Sequence, residues 1–263
     1  MKNYIYILAA TLLSSSLAYS EEQPASMQQI ESQYHRLYIG PDIFVEHARA
    51  KYTSRENKID ITSNTVFEGL RLGYDYLKPQ AFYFGTDGLV AMGRTCVSNH
   101  STYWSGYHPY GTNHRFKYSP LFANIEQRYG YTFQSPISVK STLTPFAGIG
   151  WYYTRLQFDS SHPSANWFYG AAGLRATQEF CENFDVGFNL KAMYAFAGRR
   201  TGSRGQVKEN VRNVWGYEVA LPLTWHVGAS KKWDLQFQPY LLKLDVNSIS
   251  HIWGARLEAG YSF

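Results

Sequence analysis

The chain has 263 residues and a formal net charge of +5, with 17% aromatic and 17% charged residues. Its mean hydropathy is −0.36, and no stretch beyond the first 20 residues reaches the ~18 apolar residues of a membrane helix. The mild basic excess gives no ground for a nucleic-acid partner, and two cysteines are too few for a disulfide-stapled scaffold.

The first segment, "MKNYIYILAATLLSSSLAYS", has a basic end at Lys2, an apolar run from Tyr4 to Leu13, and small residues at Ala18 and Ser20. This order predicts a signal peptide over 1–20, a mature start at Glu21 and export. Residues 21–33, "EEQPASMQQIESQ", are polar and read as a loose leader. The remaining residues, 34–263, read as one β domain.

Ten strands are predicted within it, at 35–46, 66–77, 81–94, 121–133, 143–155, 167–178, 185–197, 214–227, 235–246 and 252–263. In the second, Leu70, Leu72, Tyr74 and Tyr76 alternate with Arg71, Gly73 and Asp75, which marks a strand with one apolar and one polar face. The ninth is less regular, and Pro239 within it predicts a bulge or a switch of faces. The last runs Trp253, Ala255, Leu257, Ala259, Tyr261, Phe263 on one face.

The connections alternate. Those at 47–65, 95–120, 156–166 and 198–213 are long, and those at 78–80, 134–142, 179–184 and 228–234 are shorter. The connection at 247–251 breaks the pattern by being short.

Two closed arrangements bury ten such faces: a soluble barrel with an apolar lumen, or a membrane barrel with its apolar faces toward lipid. The opposite faces favour the second. They carry Arg71, Arg128, Arg175, Lys191, Lys243 and Arg256 with Asp42, Asp75, Asp87, Glu126, Glu218, Asp245 and Glu258. Between these stand Gly73, Gly130, Gly148, Gly150, Gly173, Gly187, Gly216, Gly254 and Gly260. Glycines weaken a solvated strand, but in a narrow lumen they make room for long charged side chains. Tyr74, Tyr76, Trp215, Trp225, Trp253 and Tyr261 suit girdles at two lipid interfaces.

The final strand resembles the C-terminal strand of bacterial outer-membrane β-barrel proteins, and the whole mature chain is similar in architecture to the small OmpA-like and opacity-protein-like barrels. That resemblance implies an all-β, closed, antiparallel transmembrane barrel of about ten strands (eight is the alternative) in an up-and-down meander. It implies insertion in the bacterial outer membrane. Trp253, Leu257, Tyr261 and Phe263 would then be the signal read by the barrel assembly machinery.

A barrel of ~8–10 strands is nearly filled by its side chains. The near-neutral interior set, with Arg71, Asp75, Glu126, Arg128, Arg175, Lys191, Glu218, Arg256 and Glu258 at its heart, is therefore expected to form a paired network. This favours a structural and surface-interacting barrel. A narrow porin or channel for small solutes is the alternative, and an outer-membrane hydrolase a second one.

The connection at 198–213 is strongly basic, with Arg199, Arg200, Arg204, Lys208 and Arg212 against Glu209. Such a cluster suits the phosphates of lipopolysaccharide and other outer-membrane lipids, or acidic glycans of a host or other surface.

No catalytic constellation emerges. The Asp-x-His of omptin-type proteases does not occur, and the His-x-Ser at His162 and Ser164 is interrupted by Pro163 in a polar loop. His100, His108 and His114 match no tight metal-ligand spacing, and no cofactor-binding motif is present. Cys96 and Cys181 fall at opposite ends of the predicted barrel, so no bond is expected between them.

Overall fold

The computed structural model describes residues 34–53, 57–105, 108–134, 140–155, 164–201, 207–210, 213–228, 230–245 and 249–263. The expected signal peptide and leader, 1–33, lie outside them.

The strands are β1 (His35–Thr53), β2 (Asn57–Tyr76), β3 (Ala81–Ser105), β4 (His108–Tyr118), β5 (Leu121–Gln134), β6 (Ser141–Arg155), β7 (Ser164–Cys181), β8 (Phe184–Thr201), β9 (Val207–Asn210), β10 (Val214–Ala220), β11 (Leu223–Val227), β12 (Trp233–Asp245) and β13 (Ile249–Ser262). Proline breaks divide some of them. β4 and β5 share one register on either side of Pro120, and β10 and β11 share one on either side of Pro222. β9 extends β10 along β8. The result is ten antiparallel staves in meander order, closed where β1 pairs with β13.

The barrel is inside out relative to a soluble protein. Leu70 is 57% exposed and Val90 58%, while Asp42 is 0% and Glu126 2%. Leu72, Ile149, Leu190, Leu221 and Leu257 complete an outward aliphatic band. Above it stand Phe168, Phe196, Trp215 and Trp253, and below it Phe82, Tyr131, Phe133, Trp225 and Trp233. Those are two aromatic girdles around an apolar belt, the surface that a lipid bilayer requires. Closure leaves no sheet edge unpaired within it.

Three expectations about the strands need correction. The stretches 47–65 and 95–120 are largely ladder, with β1 pairing β2 as far as Thr53 opposite Lys58, and β3 pairing β4 as far as Ser105 opposite His108. Above the membrane both faces of a strand are wet, so nothing demands alternation and the sequence reads as loop.

β12 contains neither a bulge nor a switch of faces. Gln236, Gln238, Tyr240 and Leu244 all stay buried. The donor-less nitrogen of Pro239 is accommodated at the β10–β11 break, where Leu221 N–H donates to Pro239 O at 3.0 Å. Among the described residues, register shifts lie instead along β8; at one of them Phe168 pairs with Ala197 but Tyr169 with Ala195, leaving Phe196 as the extra residue.

The third correction follows from the second. Without a switch of faces, Lys243 stays on the lipid side, its Nζ 5.8 Å from the ring centroid of outward-facing Tyr217. Asp245 closes β12 opposite Ile249, beyond the residues whose side chains are described.

Candidate functional site

The lumen is built by the inward residues of all ten staves, in two layers of different chemistry. The middle layer is ionic. Asp42 on β1 accepts from Arg71 Nη2 at 2.9 Å, from Arg256 Nε at 3.3 Å and from the Tyr240 hydroxyl at 2.9 Å. Arg71 Nη1 continues to Asp87 at 2.6 Å. Arg256 Nη2 donates to Glu218 at 2.8 Å. Lys191 bridges Glu218 and Glu126, 2.9 Å from each. Arg128 lies 3.8 Å from Glu126 and 3.9 Å from Asp87, which completes a circuit across the barrel section.

Toward the turn end, Asp75 accepts from Arg175 Nη1 at 2.9 Å and from the Tyr83 hydroxyl at 3.0 Å. Arg36 chelates Asp234 through Nη2 at 2.6 Å and Nε at 2.9 Å, and lies 3.7 Å from Glu258. Among the described residues, six cations (Arg36, Arg71, Arg128, Arg175, Lys191 and Arg256) meet seven carboxylates (Asp42, Asp75, Asp87, Glu126, Glu218, Asp234 and Glu258). A buried charge without a partner is costly, and this circuit supplies the partners.

The nine residues expected at the heart of the network all line one lumen, with Asp42 and Asp87 from the same predicted inner face. Arg36, which the sequence places on the polar face of the first strand with Asp42, joins the network although it was not counted in it. Asp234 was not predicted there, because it lies just ahead of the predicted start of the ninth strand.

The upper layer was not foreseen. Phe44, Phe67, Phe122, Tyr152 and Trp167 pack inside the barrel, with ring centroids 4.7 Å apart for Phe44–Phe67, 4.7 Å for Phe122–Tyr152 and 3.9 Å for Tyr152–Trp167. Leu89, Met193, Val214, Leu244 and Ile252 join them. At this height the strands are apolar on both faces, as in Ile43–Phe44–Val45, so the period-two signal disappears.

The lumenal glycines also serve a partly different purpose from the one expected. A Cβ on Gly73, Gly150 or Gly254 would overlap the ring of Tyr38, Tyr169 or Tyr240 respectively, and each tyrosine stands directly opposite its glycine on the neighbouring strand. These glycines seat flat tyrosine rings that fill the lumen. Gly260, beside Arg36 and Asp234, does make room for charged groups.

A cavity of about 90 Å³ reaches both layers. Arg128 Nε, Arg175 Nε and Asn189 Oδ1 are buried without a hydrogen-bond partner, and all three residues line this cavity. Among the described residues, no group of His, Cys, Asp or Glu has the proximity to hold a metal ion.

The other predicted residues are dispersed. Arg199 and Arg200 lie in β8, Arg199 exposed and Arg200 half-buried opposite Ala165 and Glu209. Lys208 falls on β9, while Arg204 and Arg212 lie outside the described residues. The basic connection is therefore in part a paired hairpin. His162 also lies outside them; Ser164 opens β7, its hydroxyl 2.8 Å from that of Thr201. Trp253, Leu257 and Phe263 project outward, 60, 52 and 48% exposed, and half-buried Tyr261 pairs with Trp233. Phe263 N–H donates to His35 O at 3.0 Å. Cys96 and Cys181 are both free and exposed.

No family model and no curated protein matches the chain. Among solved structures it is similar to the outer membrane protease OmpT from Escherichia coli, with a TM-score of 0.54 and 11% identity over 87% of this chain and 96% of that one. The translocator domain of the autotransporter NalP from Neisseria meningitidis is also matched, at a TM-score of 0.45 and 12% identity over 100% and 96%. So is the COG4313 outer membrane channel from Pseudomonas putida F1, at 0.42 and 12% over 92% and 100%. At 11% identity the likeness to the first speaks to fold alone, and it agrees with the pairing of the strands: the chain has the closed, ten-stave architecture of an outer-membrane β-barrel.

Proposed function

We propose that this protein is a closed barrel of the bacterial outer membrane that works through its outer surface and projecting hairpins, not as a diffusion pore. The observation that carries this reading is the double obstruction of the lumen, an ionic circuit from Glu126 through Asp42 to Asp87 beneath an aromatic layer centred on Phe122 and Tyr152. Water-filled porins leave an aqueous channel through a wider barrel. The basic groups of the hairpin end, Arg94, Arg155 and Arg199 among them, suit lipopolysaccharide phosphates or acidic surface glycans.

Planar-bilayer recording of the refolded protein tests the closed lumen. No stable steps of large conductance are expected, and their appearance would replace this reading with the channel alternative.

Orientation has its own test. Short turns mark the periplasmic end of such barrels, and Cys181 closes β7 beside the turn at 182–183, whereas Cys96 lies toward the hairpin end of β3. A membrane-impermeant maleimide is expected to label Cys96 on intact cells and Cys181 only after the outer membrane is opened. The reverse order would invert the barrel.

A further inference from the structure

At one sector of the upper girdle the outward face changes from apolar to basic within a single residue pair. Three adjacent strands place Lys243, His251 and His47 side by side at one register, Lys243 opposite His251 and His251 opposite His47. Their inward neighbours Leu244, Ser250 and Ile252 are buried, so the basic row lies on the outer surface. Directly below it are Trp253, 60% exposed, and Val45, 39% exposed. Arg49, exposed, stands one outward position further from the membrane on β1. Asn64 on β2 anchors the row's end, accepting from His47 Nδ1 at 2.6 Å. Tyr217 flanks the other end beneath Lys243.

Side chains just beyond an interfacial aromatic girdle sit at headgroup level. With strands ~4.8 Å apart, three of them carry cationic and N–H-donating groups across ~10 Å. That width suits a headgroup with more than one phosphate better than a phospholipid with a single phosphodiester. Lysine, arginine and protonated imidazole all make charge-assisted bonds to phosphate oxygens, and the exposed Trp253 ring offers an apolar face to a sugar or an upper acyl segment.

We propose that Lys243, His251, His47 and Arg49 form a specific site for the phosphorylated glycolipid headgroup of the outer leaflet. The site rests on the membrane orientation argued above but not on the closed lumen, so a conducting protein would leave it standing.

Native mass spectrometry of the folded, detergent-solubilised protein tests it, with bisphosphorylated lipid A, its dephosphorylated form and phosphatidylglycerol as probes. A heat-modifiable gel shift confirms that each variant is folded. The wild type is expected to retain bisphosphorylated lipid A and to bind the dephosphorylated form at least tenfold more weakly. The double variant Arg49→Gln/Lys243→Gln is expected to lose at least tenfold in affinity, and His251→Gln a smaller amount. Lys140→Gln/Lys231→Gln, which removes two exposed charges at the turn end, is expected to bind as the wild type does. Three results would overturn the proposal: equal retention by Arg49→Gln/Lys243→Gln, an equal loss in Lys140→Gln/Lys231→Gln (an effect of net charge alone), or binding of phosphatidylglycerol as tight as that of lipid A.

Discussion

Replacing Asp42 by alanine is expected to destabilise the barrel by about 3–5 kcal/mol, the cost typical of removing one partner from a buried ion pair. Asp42 is fully buried and accepts from two guanidinium groups and a phenol. Its loss leaves Arg71 with Asp87 alone and Arg256 with Glu218 alone, so two cations face each other with one fewer carboxylate between them. Equilibrium denaturant unfolding of the barrel folded into lipid vesicles measures the change. Because Asp42 links the β1 seam to β2, β12 and β13, the effect should exceed that of Lys140→Ala, whose pair with Glu179 lies exposed beside a turn; exposed pairs contribute ~0–1 kcal/mol. If Asp42→Ala cost no more than Lys140→Ala, the circuit would be a solvated arrangement, and the closed-lumen reading would lose its foundation.

Leu190→Arg is expected to cost about 2–4 kcal/mol in lipid, the penalty for a cation on the lipid face near the bilayer midplane. Leu190 is 43% exposed and stands between Leu174 on β7 and Val219 on β10, midway between the upper ring of Trp215 and the lower ring of Trp225. Leu190→Ala gives the packing contribution alone, and the difference between the two variants isolates the charge. The same vesicle-based unfolding provides the readout. A negligible difference would place residue 190 in water and remove the membrane assignment itself.

Much of the architecture was legible before any fold was seen. The alternation of Leu70, Leu72, Tyr74 and Tyr76 with Arg71, Gly73 and Asp75 is a local property of one strand, and a side-chain period of two allows only two assignments of its faces. All ten predicted strands occupy staves of the barrel, and ionic residues on the predicted inner face lie in one lumen. Lys243 is the instructive miss. One proline was taken to switch the face of β12, but the donor-less nitrogen was absorbed by a break in the neighbouring strand, which no local pattern on β12 reports.

Sequence alone therefore determined what each strand must do with its two faces, because hydrocarbon and a charged lumen impose opposite demands on alternate residues. Only the tertiary structure decided which side chains meet. The pairing of Arg36 with Asp234, the seating of Tyr169 over Gly150, and the aromatic layer from Phe44 to Trp167 depend on register and stagger between strands far apart in the chain. So does the row of Lys243, His251 and His47, whose members come together only when the first strand closes against the last.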